Sequence, residues 1–481
     1  MLKGFTRYFR PLEVLSEGQV EAIQRGILAV LEDTGVRFEH QPALEIFRKA
    51  GCKVDDGDMR AKIPPGLVRE CVSRCPTSFR LKARDPKHDV VIGGNVLYFA
   101  SAPGMQRADM DTWEPKDPTR KEFYDAVTVY DALENFHIFH GNSPHFSFEG
   151  VHPLMATIET RAARMRNSTK VSNLGATPLD TDIFKMQIAQ VAGEVPLCTL
   201  PASPPLTWAE DACAGAMRGL EAGLPLMFAS GDIYGATSPA TLAGAVIHNS
   251  ATIMAAIVLA QHIKPGRGVM AANFTWPQNM RTGGPFFGNI AVSLHDVAFN
   301  QVWRHYGIPV GNLEAGIPNA KSIDFQGGYE RAMQAFASGV SGAHKIWFFG
   351  CVHGELMSHP IQAILDDDIA GMVGRFLQGV EVTDDTLAID LIHEVGPIPG
   401  FYLDTKHTRD WWMKEQFVPK AADMSALQEW ALGGKKTCID LAKERMARIL
   451  ATHKPTPWTD HQEKDIERIL QDAREYFKKK M

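Results

Sequence analysis

Paired cysteines and blocks of like charge are what this sequence lacks. Its 7 cysteines are scattered along 481 residues, and none of them forms a CxxC pair. An odd, scattered set excludes a disulfide framework and predicts a reducing cytoplasm with mostly buried thiols. The formal net charge is -6 without basic clusters, which argues against nucleic acid or an anionic membrane as the main partner.

Export and membrane signals are also missing. The N-terminal residues, MLKGFTRYFRPL, contain no apolar core of the length that a signal peptide needs. The most apolar stretch, Ser238 to Ile263, is interrupted by His248, Asn249 and Gln261, so we predict a buried helix rather than a membrane span. The composition, 45% hydrophobic and 22% charged, is typical of a cytoplasmic protein with a sizeable core.

Short apolar runs alternate with helical stretches through the middle of the chain. The runs are Val96–Ser101, Phe136–Gly141, Lys170–Gly175, Leu197–Ser203, Leu226–Asp232, Val269–Phe274, Val310–Glu314 and Lys345–Gly350. Helix-start signals lie between them, at Pro118-Thr119, Pro153, Asp180, Thr207, Ser238-Pro239 and His295. This alternation predicts an α/β fold, the (β/α)₈ TIM barrel. The rival, a doubly wound open sheet, usually has a glycine-rich turn after its first strand, and YFASAPGM at Tyr98 to Met105 is not GxGxxG.

Two α-rich extensions flank the predicted barrel. The first contains a helix with a capping box at Ser16 and Gln19, followed by two short helices and two strand-like runs: Pro42–Ala50, Pro65–Cys75, Phe79–Ala83 and Asp89–Ile92. The second contains three helical stretches: Thr383–Glu394, Ser425–Leu450 and Thr459–Lys480. We therefore predict an N-terminal helical extension (1–94), a TIM barrel (95–381) and a C-terminal helical extension (382–481).

Catalytic residues of TIM barrels lie where the strands end, at the C-terminal face. At the predicted strand ends we find mostly aromatic and amide side chains: Tyr98, Phe99, His140, Asn142, His145, Asn173, Ser203, Ser230, Asp232, Tyr234, Asn273, Phe274, Trp276, Asn312, Glu314, Phe348, Phe349 and His353. Such a mouth suits an organic cation held by aromatic faces better than a phosphate. The alternative interpretation of any one of these aromatics is the top layer of the barrel core.

Metal and hydrolase sites fit these residues less well. His140, Asn142 and His145, or His353 with Glu355, give no three-ligand set of characteristic spacing, so we expect no protein-bound metal. A hydrolase could use Glu314 and Asp232 as its acids. The fourth run, however, ends in LPASPP without an acid, which weakens the case for a retaining glycosidase.

Four separated segments resemble the trimethylamine methyltransferase family. They are residues 324–350 (DFQGGYERAMQAFASGVSGAHKIWFFG), 35–56 (GVRFEHQPALEIFRKAGCKVDD), 63–86 (IPPGLVRECVSRCPTSFRLKARDP) and 396–408 (GPIPGFYLDTKHT). The likeness extends from about Leu15 to about Asp423 with the segments in the same order. It implies a TIM barrel that works with a separate corrinoid protein, which carries the cobalamin cofactor.

The resemblance also implies a substrate class. Members that act on trimethylamine carry pyrrolysine at the position that corresponds to Gly327 here. Members without pyrrolysine and with known activity demethylate quaternary amines such as glycine betaine, proline betaine or carnitine. We therefore expect a glycine betaine:corrinoid protein methyltransferase. The alternatives are a demethylase for proline betaine or carnitine, and a binding protein that no longer transfers methyl groups.

The site residues that we predict on this basis fall into two groups. The catalytic group is Gly327, Glu314 and Asp324. The substrate-binding group comprises an aromatic cage and four residues for the carboxylate, of which His353 is the first choice: Tyr98, Phe99, Tyr234, Trp276, Phe348 and Phe349, then His353, Asn173, Asn312 and Gln326. Partners are expected to be the corrinoid protein, docked through the strand-end loops and GPIPGFYLDTKHTRDWW, and further copies of the chain in a homo-oligomer.

Overall fold

Parallel strands wrapped by helices form the centre of the protein, and the computed structural model describes residues 4–175 and 180–479. We number the barrel strands in chain order: β1 Val96–Ser101, β2 Ile138–Phe139, β3 Val171–Ser172 with Leu174–Gly175, β4 Cys198–Ala202, β5 Leu226–Ser230, β6 Val269–Asn273, β7 Val310–Asn312 and β8 Lys345–Phe349. The first half of β3 pairs with β2 and the second half with β4, with Asn173 between them. Because β8 also pairs with β1, the barrel closes, and each strand lies inside the run that predicted it.

A helix follows every barrel strand. In order they are α1 Arg120–Ala132, α2 Ala156–Arg166, α3 Thr181–Ala192, α4 Glu210–Glu221, α5 Leu242–Ile263, α6 Ile290–His305, α7 Phe325–Val340 and α8 Pro360–Leu377. Helix α1 starts as predicted, because Thr119 forms a capping box with Glu122. Two predicted starts are wrong. Thr207 belongs to a short strand that precedes α4, and His295 lies inside α6, which Asn289 caps.

The apolar helix α5 is a core element. Its length and mean hydropathy of 1.8 would suit a membrane span, but 72% of its most apolar 18 residues are buried inside the protein. Helices Glu17–Ala29 and Pro65–Arg74 pack against it from the N-terminal extension. The prediction of a buried helix is therefore confirmed.

The N-terminal extension covers one side and the bottom of the barrel. Its elements are strand Phe5–Thr6, helix Glu17–Ala29 with a π turn Val30–Thr34, strand Val36–Phe38, helix Gln41–Lys49, strands Lys53–Asp55 and Arg60–Lys62, helix Pro65–Arg74, strand Ser78–Leu81, the 3-10 turn Pro86–His88 and strand Val90–Gly93. The last two strands form an antiparallel pair. Leu81, Val90 and Ile92 of this pair join the apolar cluster of the barrel interior, so the pair closes the end where the strands begin.

The C-terminal extension is more broken than predicted. It contains helices Asp384–Leu387, Ile389–Val395, Lys406–Glu415, Leu427–Leu432, Cys438–Thr452 and Asp460–Lys478. Gly433 and Gly434 separate the helices of the stretch predicted as Ser425–Leu450, and Ala388 with φ 51° separates the first two helices. The last helix begins after Thr459 as predicted, whereas its predicted end, Lys480, lies outside the described residues.

Two small sheets stand over the barrel mouth. Ile233–Tyr234, after β5, pairs with Trp276–Pro277, after β6. Met357–Ser358, after β8, pairs with Gln106–Ala108, after β1, which also pairs with Pro115–Lys116. These sheets fix the strand-end loops on opposite sides of the mouth, and they position the side chains described next.

Candidate functional site

Four aromatic side chains form a connected group at the C-terminal end of the barrel, which we call the mouth cluster: Phe274, Trp276, Phe287 and Trp347. The ring centroids are 4.4 Å apart for Phe274 and Trp276, 5.4 Å for Phe274 and Trp347, and 5.1 Å for Trp276 and Phe287. The ring of His140, after β2, packs edge-on against Trp347 at 4.3 Å. Burial, followed by the charges of Lys345, Arg164 and Lys185, holds the pKa of His140 well below its usual range, so this ring is neutral.

Strand alternation explains why Trp347 faces the mouth. Side chains along a strand point alternately to its two faces. On β8, Ile346 and Phe348 belong to the cluster between the barrel and its helices, whereas Trp347 belongs to the cluster of the interior. A register irregularity between Trp347 and Phe349 places Phe349 on the outer face as well.

Four predicted cage residues do not reach the mouth cluster. Phe99, Phe348 and Phe349 are fully buried on the outer face, where Phe99 and Phe348 are 5.4 Å apart. Tyr98 lies near the start of β1, packs with Leu81 of the bottom strand pair, and its hydroxyl accepts a hydrogen bond from Val91 N at 3.3 Å. The prediction is wrong for Phe99, Phe348 and Phe349, because an apolar run predicts a strand without showing which face each residue takes. Tyr98 does face the interior, but it pairs with Lys345 and lies below the mouth cluster.

The two remaining cage residues, Tyr234 and Trp276, do lie at the mouth. Their short strands pair directly above β5 and β6. The Tyr234 ring stacks on His295 at 5.9 Å, and burial followed by the charges of Asp296 and Glu314 raises the pKa of its hydroxyl. Trp347 and Phe287, which were not predicted for this role, complete the group. Alternation along β8 could have found Trp347, whereas Phe287 lies in a loop without a periodic pattern.

Glu314 forms a buried carboxyl pair with Asp296 of α6. Its carboxylate accepts hydrogen bonds from Thr275 N at 2.7 Å and from Leu313 N at 2.8 Å. Burial, and then the charge of Asp296, raises the pKa of Glu314 well above its usual range. Burial also raises the pKa of Asp296, to which Glu314 is hydrogen-bonded. Two carboxyls in contact cannot both ionise easily, so the pair retains a proton near neutral pH.

Asn312 faces away from the mouth, toward helix α6. Its Nδ2 donates to Asp296 Oδ1 at 2.7 Å, and its Oδ1 accepts from Asn300 Nδ2 at 2.8 Å. Asn273 donates to the same Asp296 oxygen at 2.7 Å. The structure therefore places Asn312 in a network behind the sheet, where it orients the carboxyl pair, and not in contact with a ligand at the mouth.

Asp324, Gln326 and Gly327 lie together at the start of helix α7. Asp324 is the N-cap, and its Oδ1 accepts from Gly327 N at 3.0 Å. Gln326 donates to Glu330 at 2.7 Å, and Glu330 in turn accepts from Asn319 N at 2.8 Å. A Cβ on Gly327 would lie closest to Ala320 and Ser322, at 3.5 and 3.6 Å. These contacts hold the β7–α7 loop, and they engage Asp324 and Gln326 within it.

His353 lies in the loop after β8 and is half-buried. Burial and then the charge of Lys321 lower its pKa, and its Nδ1 has no hydrogen-bond partner in the described part of the chain. Gly354 places this loop beside the mouth cluster, since a Cβ there would lie 3.0 Å from the Phe287 ring. The structure thus keeps His353 near the mouth, while its role in binding stays a prediction.

Asn173 interrupts β3 and faces the interior. Val171, two residues earlier, belongs to the interior cluster, whereas the Ser172 hydroxyl accepts from Arg164 of α2 on the outer face. Asn173 is 0% exposed, and neither polar atom of its amide has a partner within residues 4–175 and 180–479. Buried polar groups are nearly always hydrogen-bonded, so an unpaired amide here is a mark of a ligand site.

The same mark recurs across the mouth. Over the described ranges of the chain, the indole N–H groups of Trp276 and Trp347 and the Tyr234 hydroxyl have no partner either. All three residues are at most 5% exposed. Groups of three His, Cys, Asp or Glu side chains that could hold a metal ion do not occur among the described residues. The donors and faces present instead fit a small organic cation with polar substituents.

The segment GPIPGFYLDTKHTRDWW was predicted to help dock a partner over the mouth, and its last residues belong to helix Lys406–Glu415. Arg375, near the C-terminal end of α8, donates to Glu415 O at 3.0 Å and so holds helix Lys406–Glu415. Barrel helices run back along the strands, and Leu377 O accepts from Tyr8 N close to the start of β1. This helix therefore lies toward the bottom of the barrel, and the docking role of the segment stays a prediction.

Comparison with known proteins agrees with this architecture. The family model of trimethylamine methyltransferase (MTTB) matches residues 1–477. A glycine betaine methyltransferase of Desulfitobacterium hafniense strain Y51 is 30% identical over 454 residues, 92% of this chain and 93% of that protein. The trimethylamine methyltransferase MttB of Methanosarcina barkeri strain Fusaro is 27% identical over 479 residues, 97% of this chain and 96% of that protein.

A solved structure shows the same fold. The crystal structure of the monomethylamine methyltransferase MtmB of Methanosarcina barkeri superimposes with a TM-score of 0.52 at 13% identity. The match covers 96% of this chain and 92% of that one. It confirms the β/α barrel with its flanking helices.

Proposed function

Because the chain belongs to the trimethylamine methyltransferase (MTTB) family, we propose that it transfers a methyl group from a quaternary amine to the corrinoid of a separate protein. Glycine betaine is the first candidate substrate, with dimethylglycine as the product. The chain is a methyltransferase of this family. One similar protein is a glycine betaine methyltransferase, which favours the betaine over other amines.

The mouth cluster is the observation that carries the proposal. A trimethylammonium group is a large, weakly hydrated cation, and the faces of Trp and Phe attract such cations by about 0.5–2 kcal/mol per contact once water is excluded. Trp276 and Trp347 are both buried and joined through Phe274, so the faces lie within reach of one small ligand.

The acids near the mouth contribute a negative potential without a strong ion pair. Glu314 and Asp296 share a proton, so together they bear about one charge. Tyr234 lies close enough for both carboxyls to affect its pKa. A partly neutralised pair favours a cation at the mouth, yet it does not hold the neutral amine that remains after transfer.

The reaction requires little acid or base catalysis from this chain. A quaternary nitrogen leaves as a neutral tertiary amine, so no proton has to be supplied to the leaving group. When bound, the corrinoid of the partner supplies the Co(I) nucleophile that accepts the methyl group. The residues of the mouth then orient the methyl group and exclude water. Gly327 offers no pyrrolysine imine, in accordance with a substrate that is already activated.

Methyl transfer with a substrate panel tests the proposal. The purified protein is mixed with a corrinoid protein from the same source, reduced to Co(I), and with glycine betaine, proline betaine, carnitine, choline or trimethylamine. We expect the visible spectrum of the corrinoid to report methylation with glycine betaine, and mass spectrometry to identify dimethylglycine. Transfer from proline betaine or carnitine alone would mean that one of these quaternary amines is the substrate in place of glycine betaine.

Two outcomes would overturn the proposed reaction. Transfer from trimethylamine alone would mean that the quaternary charge is not what the mouth selects. Betaine binding in a calorimeter without transfer to the reduced corrinoid would mean that the chain is a quaternary-amine-binding protein. A Trp276→Leu variant serves as the control, since a site at the mouth cluster requires that it bind the same amine more weakly.

The expected homo-oligomer remains a prediction, and one region supports it. Helices Asp384–Leu387, Ile389–Val395, Lys406–Glu415 and Leu427–Leu432, all within the described residues, contain no buried residue. Apolar side chains are strongly exposed between and on them, such as Ile398 at 95% and Leu432 at 89%. Patches of this kind usually mark interfaces. Helix Lys406–Glu415 lies toward the bottom of the barrel, so an interface there would leave the site open to the corrinoid protein.

A further inference from the structure

Lys345 is a buried cation inside the barrel without a counter-charge. It is 0% exposed and precedes Trp347 by two residues on β8, so both side chains face the interior. Its Nζ contacts Met227 Sδ at 3.7 Å across the barrel, a weak acceptor. No carboxylate within the described ranges forms an ion pair with it, and burial alone lowers its pKa, to about 7.

Other buried basic side chains have oxygen partners. Lys170 Nζ donates to Leu133 O at 2.6 Å, and Arg164 donates to Ser143 O at 2.7 Å. Arg161 pairs with Glu194 at 2.7 Å. Each of these groups has a clear structural role between the barrel and its helices. Lys345 differs from them because its amine has no oxygen partner among the described residues, and a buried ammonium without one is costly unless a ligand supplies it.

Lys345 lies directly below the mouth cluster. Its Nζ is 5.9 Å from the centre of the Trp347 ring. The interior beside it is lined by small residues, since Gly311 pairs with both Lys345 and Ala272, and Ala100 pairs with Trp347. TIM barrels usually fill this level with large branched side chains. The space beside these small residues is bordered by the flexible side chains of Met227 and Met270, whose Cε lies 3.0 Å from the position of a Cβ on Gly311.

We propose that Lys345 binds the carboxylate of a zwitterionic substrate whose quaternary ammonium lies against the mouth cluster. The inference rests on the proposed function and narrows it to short betaines. Two cations, the substrate ammonium and Lys345, would repel one another at this distance. A carboxylate between them turns the repulsion into two attractions, so a ligand with a negative group close to its nitrogen is preferred over a simple cation.

This assignment also explains how the site could distinguish glycine betaine from other trimethylammonium compounds. Choline and tetramethylammonium offer the same trimethylammonium surface as glycine betaine, so aromatic faces alone cannot separate them. The burial that lowers the pKa of Lys345 makes its charged form costly in the free protein. The carboxylate of a betaine offsets that cost by pairing with the charged amine, whereas the hydroxyl of choline does not. Discrimination would then arise inside the barrel rather than at the mouth.

Calorimetric titration with three ligands tests the assignment without catalysis. The ligands are glycine betaine, its methyl ester and tetramethylammonium, and the proteins are the wild type and Lys345→Met, which keeps the length of the side chain and removes its charge. We expect Lys345→Met to weaken betaine binding by about 10–150-fold, as for loss of a charge-assisted hydrogen bond. Binding of the ester and of tetramethylammonium should be unchanged or tighter, because a repulsion is removed.

Two controls keep the result interpretable. Lys170→Met removes a buried lysine whose donors are already used, and it should leave the ratio of betaine to ester affinity unchanged. If Lys345→Met does not fold, the wild-type ratio decides: betaine bound no more tightly than its methyl ester would overturn the assignment. Betaine binding by Lys345→Met at wild-type strength would overturn it as well.

The proposed function and this assignment can fail separately. Methyl transfer from glycine betaine with undiminished affinity in Lys345→Met would exclude the role of Lys345 and keep the reaction. A loss of betaine affinity in that variant, in a protein that never methylates the corrinoid, would keep the carboxylate site and exclude the reaction.

Discussion

Two aromatic clusters lie on opposite faces of the same barrel strands. The outer cluster consists of Phe99, Phe136, Phe139, Phe348 and Phe349, all 0% exposed, with centroids 4.6 Å apart for Phe136 and Phe139 and 5.3 Å for Phe136 and Phe349. Its side chains are purely apolar. The mouth cluster instead contains indole N–H groups that the described residues leave unpaired.

The difference separates a core from a binding site. Both clusters are buried and both are rich in rings, so neither aromatic content nor burial identifies the ligand. The outer cluster also carries one unpaired polar group, since the buried hydroxyl of Tyr130, which packs on Phe136 and Phe139, has no partner among the described residues. What distinguishes the mouth is that its unpaired donors are the indole N–H groups of the rings that line the C-terminal end of the barrel, where a buried donor without a partner costs about 1–3 kcal/mol.

The largest effect that this comparison predicts is on stability at the outer face. Phe348→Ala should lower the free energy of unfolding by about 3–5 kcal/mol, because it leaves a cavity between β8 and its helices. The affinity of the folded protein for a quaternary amine should not change. Denaturant unfolding and calorimetry measure the two quantities, and Phe348→Leu is the control, with a loss below about 1.5 kcal/mol. A stable variant with weakened amine binding would show that Phe348 contacts the ligand after all.

Removing an aromatic ring from the mouth cluster should instead change the affinity for a quaternary amine. We expect Trp347→Leu to weaken quaternary amine binding by about 2–30-fold, the equivalent of one cation–π contact of 0.5–2 kcal/mol. Phe99→Leu is the matched control on the outer face, and it should affect stability without affecting affinity. Unchanged affinity in Trp347→Leu would place the ammonium away from the mouth cluster and would break the comparison.

The barrel could be predicted from the sequence, and the faces of its strands could not. Eight apolar runs at regular spacing are enough to count strands, because parallel strands buried on both faces are apolar throughout. That same property hides the alternation that would have separated Trp347 from Phe348. Glu314 was found because a lone acid after an apolar run is conspicuous. Its partner Asp296 lies inside α6, where nothing in the helix pattern distinguishes it.

Residues at the start of α7 show a second limit. Asp324, Gln326 and Gly327 were predicted from family resemblance, and they follow the end of β7 after a loop of 12 residues. In the structure their polar groups are used locally, since Asp324 caps α7 through Gly327 N and Gln326 donates to Glu330. The sequence does not show this, because the hydrogen bonds within a loop decide which of its side chains are left to contact a ligand.

Asp324 gives the smallest effect and the sharpest test of that limit. Hydrogen bonds from Ser322, Gly327 and Gln326 outweigh the opposing effect of burial and lower the pKa of this carboxyl, which is consistent with a charged helix cap. Asp324→Ala should cost about 0.5–2 kcal/mol of stability by loss of the cap and leave the rate of methyl transfer per folded molecule unchanged. Asp324→Asn, which can still cap the helix, should recover most of the stability. If both variants instead fold normally and lose methyl transfer, the carboxylate acts on the substrate.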